Sequence, residues 1–330
     1  MPSKKLPSPE KLPVVIVAGP TGSGKSALAL ELARQFNGEI VNCDSLQLYR
    51  GFDIGTAKTP FAERRGIPHH LFDVLDPQES YSAGEYARAA RSVLREISAR
   101  GGLPIVAGGT GFYLRALLEG LPVLPEQNKE MRARLAAKEA RKAGTLHRLL
   151  ARLDPGAAAK IHANDVQKLT RALEIRLTTS QPLPPRETAA PLEGYAPVKI
   201  GLNPERSALY QRLDSRVLAM FQGGLLGGSQ GLITEIRSLL SCGATGHETT
   251  GDDKPFESLG YKQGLAHIRG KLTLEQAIES TQAETRQYAK RQLTWFRRDP
   301  ELRWLAGFGD DARIQRQAQE FVSSRIPQRR

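Results

Sequence analysis

Eight consecutive residues, Gly19, Pro20, Thr21, Gly22, Ser23, Gly24, Lys25 and Ser26, fit the spacing G-x-x-x-x-G-K-[ST]. Glycines at these positions let backbone N–H groups turn inward onto phosphate oxygens, and a helix starting here adds the positive end of its dipole. Lys25 brings a point charge and Ser26 a hydroxyl able to join the coordination of Mg²⁺. Such a loop binds a di- or triphosphate, which makes the chain a nucleotide-binding, ATP-binding candidate without naming the bond broken. Ordinary ATPases and kinases next show an apolar strand ending in Asp for the metal ion. Ile40-Val41-Asn42-Cys43-Asp44 offers one, whereas Ile105-Val106-Ala107 runs into Gly108-Gly109-Thr110, a hydroxyl where an acid is common. On the residues alone Asp44 is a magnesium residue or a general base. The chain then reads as a P-loop kinase of a small metabolite, or as a nucleotide-gated RNA-binding module without chemistry.

The elements that must carry these residues alternate. Residues 13–18 form a short apolar run closed by Gly19, as expected of a strand buried on both faces. A helical pattern follows over 26–36, then strands at 39–43 and 70–74, a helix from Ser82 to about Arg100, a strand at 103–107 and a helix at 112–119. Strands separated by helices of this length predict a mostly parallel sheet covered on both sides. The texture changes from Glu126. Residues 129–176 read as helices with 12 Lys/Arg against 5 Asp/Glu and a buried stripe of Leu146, Leu149, Leu150 and Leu153. Residues 181–197 hold five prolines and read as a loop; residues 198–202 return as a strand and 205–221 as a helix. Residues 223–231 and 241–251 are Gly-rich and read as flexible loops, 282–298 as a helix, and the Arg-rich end as frayed.

The whole chain has 330 residues, 47 Lys+Arg against 35 Asp+Glu and a formal charge of +12. Its pI of about 9.8 makes an extended polyanion a plausible partner. The length suits two domains, or one large domain with an insertion. Forty percent apolar residues exclude global disorder, and no apolar run is long enough to span a bilayer. Met1 to Lys11 is polar and reads as a loose tail rather than a secretory signal. Two cysteines, Cys43 and Cys242, are too few for a disulfide framework, and a cytoplasmic location is expected. His69 and His70 lack a third ligand in the sequence nearby and read as structural.

Further stretches resemble one family, the tRNA dimethylallyltransferases or isopentenyl-tRNA transferases. After the phosphate loop they are Asp44-Ser45-Leu46-Gln47-Leu48-Tyr49, Asp53-Ile-Gly-Thr-Ala-Lys58, Pro68-His-His-Leu71, Asp76-Pro77, Tyr81-Ser82 and Gly108-Gly-Thr-Gly-Phe-Tyr113. They continue through Leu117-Leu-Glu-Gly120, Asn164-Asp165, Arg171-Ala-Leu-Glu174, Gly260-Tyr261, Thr285-Arg286 and Lys290-Arg-Gln-Leu-Thr-Trp295. The order holds over nearly the whole chain. The resemblance implies a P-loop NTPase-like α/β fold whose parallel-sheet core carries an inserted helical, basic tRNA-binding domain. The expected division is 12–125 for the first part of the core, 126–196 for the insertion, 197–310 for the remainder with the basic C-terminal helices, and tails at 1–11 and 311–330. Gly223–Gly231 is longer than the corresponding family turn, so no residue role is transferred across it.

The implied activity is transfer of a dimethylallyl group from its diphosphate to N6 of the adenosine 3′-adjacent to a tRNA anticodon. Mg²⁺ would act as cofactor, the tRNA anticodon stem-loop and dimethylallyl diphosphate would be substrates, and the enzyme would be a monomer. Asp44 resembles the family's general base, and Thr110 the hydroxyl near the bridging oxygen where charge grows as diphosphate leaves. Ser45, Leu46 and Gln47 resemble contacts to an adenine pulled from its stack. Arg132 resembles an arginine beside the reaction channel, and Gln167, Lys168, Leu169, Thr170 and Arg171 a tRNA-contacting run. Lys290 and Arg291 belong to a basic helix with no acid between Arg286 and Arg298, suited to a phosphate track. On that helix Ala289, Leu293 and Phe296 form a core-facing stripe, with Trp295 and Phe296 read as core residues.

Overall fold

The structure is a computed structural model that describes residues 11–122, 124–184, 190–223, 231–241, 249 and 251–326. The chain divides into two compact units, one made of residues 1–118 and 192–330 and the other of residues 119–191.

The first unit is built on β1 (Leu12–Ala18). Its Val14-Val15-Ile16-Val17 run is at most 1% exposed, because β-branched side chains suit a strand with a partner on each edge and a covered layer on each face. The loop after β1 leads into α1 (Lys25–Phe36), which stops at Asn37 in the left-handed region and turns into β2 (Gly38–Asn42). Next come β3 (His69–His70), α2 (Ala83–Ala99), β4 (Leu103–Gly108) and α3 (Gly111–Glu119). A reciprocal capping box between Ser82 and Glu85 opens α2. The strand expected over 70–74 ends at His70, because Leu71 and Asp73 take positive φ of 59° and 54°, which no ladder accommodates.

The second unit supplies α4 (Lys129–Arg141), α5 (Thr145–Leu153), α6 (Pro155–Ala158) and α7 (Val166–Thr179). The chain then returns to the first unit through β5 (Tyr195–Leu202), α8 (Arg206–Gln222), α9 (Leu232–Leu240), α10 (Tyr261–Ile268), α11 (Leu274–Phe296), β6 (Arg303–Leu305) and α12 (Ala312–Ser323). The six strands form one parallel sheet in the order β3-β2-β4-β1-β5-β6. β5 starts at Tyr195, earlier than expected. Pro197 is tolerated there because β6 pairs only with Ile200–Leu202.

Residues 311–326 correct the expectation of a loose tail. Asp311 caps α12, whose Ile314, Ala318 and Val322 are at most 1% exposed and join Leu28, Leu32, Val15, Val17 and Ile105 in one apolar layer. A stripe of three small-to-medium apolar residues set among Arg and Gln gives a weak signal in sequence, and its burial against α1 decides the outcome. Likewise α11 begins at Leu274, where Thr273 and Gln276 make a capping box, rather than at Gln282. The Gly-rich expectations at 223–231 and 241–251 fall largely on residues 224–230, 242–248 and 250, outside the described residues, as do residues 185–189 of the proline-rich stretch.

The helical unit closes around Leu135, Leu146, Leu150, Leu169, Ala172 and Leu173. Its limits differ from the expected 126–196. The guanidinium of Arg171 donates to Pro125 O at 2.7 Å, and a Cβ on Gly120 would meet Ala190 O at 2.2 Å, tying Gly120 and Pro125 to this unit. Leu192 N instead donates to Leu118 O, closing the first unit outside both ends.

Inside the helical unit the Glu174 carboxylate, 0% exposed, accepts from Arg132 Nε at 3.1 Å, Arg132 Nη2 at 3.0 Å and Arg171 Nη1 at 2.6 Å. Burial pushes this carboxyl up, but the two guanidiniums and the Asn128 N–H outweigh burial and hold it below the usual value. Breaking such a buried pair leaves uncompensated charge and typically costs 3–5 kcal/mol. Glu174→Ala is therefore expected to destabilise the helical unit by about 3 kcal/mol at neutral pH, read by urea unfolding. Because the folded carboxyl is the more acidic, that contribution is present above about pH 4.5 and fades as pH falls through the depressed value. A loss under about 0.5 kcal/mol at pH 7 would show the pair to be inert.

Candidate active site

Parallel pairing places the C-terminal ends of β2, β4 and β1 side by side, with Val17 opposite Ala107 and Asn42 opposite Ala107 on the other side. The loop from Gly19 to Ser26, the Asp44 turn and the Gly108–Thr110 turn leave from these three ends. This is the crevice where open α/β sheets bind ligands.

The loop after β1 is held in a conformation that needs glycine. Gly22 and Gly24 have φ of 78° and 85°, and a Cβ on Gly24 would stand 2.7 Å from Gly309 N and 2.8 Å from Asp310 Oδ1. Gly309 N donates to Ser23 O at 2.9 Å, so the segment after β6 supports the loop from behind. Lys25 curls over the loop and donates to Pro20 O at 2.8 Å. Burial pulls its ammonium down to about 8, opposed by the attraction of Asp44 and assisted by the repulsion of Arg216. Ser26 is exposed at the start of α1, with its hydroxyl open to a ligand.

Asp44 sits in a turn made rigid by its neighbours. Its N–H donates to Asn42 Oδ1 at 2.9 Å, and Asn42 Nδ2 donates to Asp44 O at 3.0 Å and Leu71 O at 2.9 Å. Asp44 Oδ1 accepts from Leu46 N at 3.0 Å, and no hydrogen bond from the described residues engages Oδ2. That oxygen is thus placed to accept a proton or a donor from outside the protein.

Thr110 belongs to the same turn cluster. Its N–H donates to Cys43 O at 3.1 Å, and its Oγ1 accepts from Ser45 N at 3.0 Å instead of capping α3. The approach leaves no room for a side chain on Gly108, where a Cβ would lie 2.1 Å from Cys43 O. Burial pushes the neighbouring Cys43 thiol up to about 12, so it is inert at neutral pH. Gln47 Nε2 donates to Thr56 O at 3.1 Å, and the 53–58 segment is pinned by the buried Lys58, which donates to Tyr49 O and to the Asp53 and Asp73 carboxylates at 2.6–2.9 Å.

Three further residues converge here: Gln292, from within the Lys290–Trp295 stretch but with no role assigned to it in sequence, and Arg216 and Tyr288, which the sequence did not single out. Arg216 on α8 donates through Nη2 to Thr21 Oγ1 at 2.6 Å, while its buried Nε has no partner. Burial and the nearby Arg212 pull its guanidinium down to about 10, against the attraction of Asp44, so it stays charged at neutral pH. On α11 the Gln292 amide accepts from Thr21 N at 2.7 Å and donates to Gly109 O at 2.8 Å. Tyr288, one turn earlier, is kept neutral by burial and by the charge of Asp44. A sequence signal existed for Gln292, a polar residue in the stripe between the buried Ala289 and Phe296. Arg216 lies beside Val217 on a mostly buried helix face, with no such mark.

Lys290 and Arg291 occupy the exposed side of α11 and line a surface cleft of about 360 Å³ with Gln287, Thr294, Trp295 and Arg298. Trp295 departs from the core role expected of it. It is 37% exposed and lies on Gly111, where a Cβ would meet its indole at 2.2 Å; Phe296 is buried as expected. In the helical unit, Arg132 and Arg171 are engaged by Glu174, and Gln167 and Lys168 are exposed with Lys168 paired to Asp165. Thr170 is half-buried, whereas Leu169 is 0% exposed in the apolar core, which corrects its assignment to an RNA-contacting surface. His69 Nδ1 bonds Ile67 O at 2.8 Å and His70 Nε2 bonds Glu39 at 2.7 Å.

A cationic cradle, a carboxylate with a free oxygen and a hydroxyl turn thus share one sheet edge, suited to displacing a diphosphate by a nucleophile presented at Asp44. The family described as IPP transferase matches residues 47–299. A tRNA dimethylallyltransferase from Solibacter usitatus is 56% identical over 319 residues, covering 96% of this chain and 100% of the relative. Among solved structures, a tRNA isopentenylpyrophosphate transferase from Bacillus halodurans is 36% identical with a TM-score of 0.67, covering 96% of both chains. A eukaryotic dimethylallyltransferase acting on tRNA is 30% identical with a TM-score of 0.76, covering 96% of this chain and 81% of that one. Motif order, sheet-edge geometry and these likenesses agree: the chain belongs to the IPP transferase family, the tRNA dimethylallyltransferases.

Proposed function

We propose that this protein transfers the dimethylallyl group of dimethylallyl diphosphate to N6 of the adenosine 3′-adjacent to the anticodon in tRNA. The observation that carries the reading is the shared sheet edge, where Asp44 Oδ2 is free while Lys25 and Arg216 crowd the phosphate loop. Adenine N6 is a weak nucleophile because its lone pair is delocalised into the ring. Asp44 orients the amine and takes its proton as the new N–C bond forms. The allylic C–O bond breaks, and its electron pair leaves with diphosphate. Lys25, Arg216 and the loop amides receive that charge, and the Thr110 hydroxyl, which lies 3.4 Å from Ser45 Oγ, would donate to the bridging oxygen instead. Donors aimed at developing charge accelerate the step because they bind the transition state better than the ground state.

The adenine reaches Asp44 by leaving its stack, with Ser45, Leu46 and Gln47 as the floor that meets it. Lys290 and Arg291 beside the exposed Trp295 suit a single-stranded backbone with a base stacked nearby. The helical unit supports tRNA binding through its exposed basic side chains, among them Arg134, Lys138, Arg148 and Lys168. Arg132 and Arg171 present what remains of their guanidiniums after pairing with Glu174.

Mg²⁺ fits the residues present. The exposed Ser26 hydroxyl, together with diphosphate oxygens and water, suits an ion that keeps much of its hydration. When bound, it would neutralise the outgoing diphosphate. No helix among the described residues is long and apolar enough to cross a membrane. We place the enzyme in the cytoplasm with its tRNA, acting as a monomer.

Two outcomes test this assignment. Mass spectrometry of tRNA incubated with the protein, Mg²⁺ and dimethylallyl diphosphate should show one dimethylallyl group on that adenosine. Asp44→Asn should cut the single-turnover rate about 10³-fold while tRNA affinity changes less than about threefold, the size expected for losing a positioned base; a near-full rate would remove Asp44 from that role. Second, kcat/KM for the prenyl donor should fall as pH rises through about 8, because Lys25 then loses the charge that meets the diphosphate. Lys25→Arg should flatten that limb. An unchanged inflection in the arginine variant would assign the titration elsewhere.

A further inference from the structure

Thr21 and Gly109 belong to different loops, one after β1 and the other after β4, and each has a backbone group directed at α11. Thr21 N–H needs an acceptor and Gly109 C=O a donor. The Gln292 amide provides both, at 2.7 Å and 2.8 Å, from a side chain that is 6% exposed. The polarity of these partners fixes the amide orientation, since the reverse would set N–H against N–H and C=O against C=O. Space is as restricted as polarity. A Cβ on Gly109 would lie 2.2 Å from Gln292 Nε2 and 3.8 Å from Lys25 Nζ, so the strut, the catalytic turn and the loop lysine meet within one contact distance.

Thr21 is gripped a second time, since its hydroxyl accepts from Arg216 Nη2 at 2.6 Å. Gly109 directly precedes Thr110, whose Oγ1 is engaged by Ser45 N. A continuous chain of contacts therefore runs from Arg216 through Thr21, Gln292 and Gly109 to Thr110 and the residue after Asp44.

We infer that Gln292 is a positioning residue, a two-ended strut that sets the spacing between the phosphate cradle and the Thr110–Asp44 cluster. Its role presupposes the prenyl transfer proposed above. The C–O bond must break at the cradle while the N–C bond forms at Asp44, so both ends of the reacting array have to be held at once. Displacements of about 1 Å between such groups cost about 10²-fold in rate. The strut rises from α11, whose outer side carries Lys290 and Arg291, so the helix proposed above to meet the RNA also braces the site.

The test uses the full chain with two substitutions. Gln292→Glu keeps the shape and the acceptor for Thr21 N–H but sets a carboxylate against Gly109 O. Gln292→Met keeps the length and removes both bonds. Under single-turnover conditions with donor and tRNA saturating, each is expected to lose about 30- to 100-fold in rate. The KM for dimethylallyl diphosphate and the Kd for tRNA should stay within about threefold, with a cooperative thermal transition retained. Rates within about threefold of wild type in a folded variant overturn the inference. So does a loss that resides wholly in tRNA affinity, or the failure of both variants to fold, since either makes Gln292 a structural residue. Absence of product from the wild-type protein would instead sink the transfer reaction itself.

Discussion

A parallel sheet delivers the C-terminal ends of its strands to one edge, and the site depends on that constraint. β1 ends in the phosphate loop, β2 in the Asp44 turn and β4 in the Gly108–Thr110 turn, and the order β2-β4-β1 makes the three adjacent. The hydrophobic run of β1 and the layer from α1 and α12 hold this register. A register slip of one residue would reverse every side chain and dissolve both the apolar layer and the placement of Asp44. Stability and chemistry share one determinant.

The edge is also electrostatically loaded. Lys25 and Arg216 are brought out of water beside one another, which costs free energy and lowers the proton affinity of both. Asp44 offsets part of that cost while remaining open at one oxygen. In the transfer proposed above, a diphosphate would complete the neutralisation. Such an arrangement would favour the departing diphosphate, whose negative charge grows as it leaves.

What could be read from the sequence was local. The loop from Gly19 to Ser26 is contiguous and its chemistry follows from its residues. Asp44 was marked by the apolar strand before it and Thr110 as a hydroxyl where an acid is common, but their catalytic roles came from family resemblance, and nothing in their spacing says that residues 44 and 110 meet; the pairing of β2 with β4 does. Arg216 and Gln292 reach the site from helices far along the chain; Gln292 lies within the Lys290–Trp295 stretch, but nothing in sequence says that it bonds two backbone groups on distant loops or that Arg216 meets the Thr21 hydroxyl. Leu71 and Asp73 end β3 through backbone conformations that their side chains do not announce. The segment 311–326 shows the opposite error: its charge suggested a frayed end, yet three apolar residues in a row of turns suffice to seat it. In the helical unit the basic surplus was plain, but Glu174 recruits two of the arginines for folding.

The most direct measurement counts diphosphate released per adenosine alkylated, with dimethylallyl diphosphate as the sole donor and again with ATP added. The account predicts one diphosphate for each modified adenosine, the same ratio in both conditions and no ATP consumed. Consumption of ATP in that pocket, with the prenyl diphosphate left intact, would contradict it.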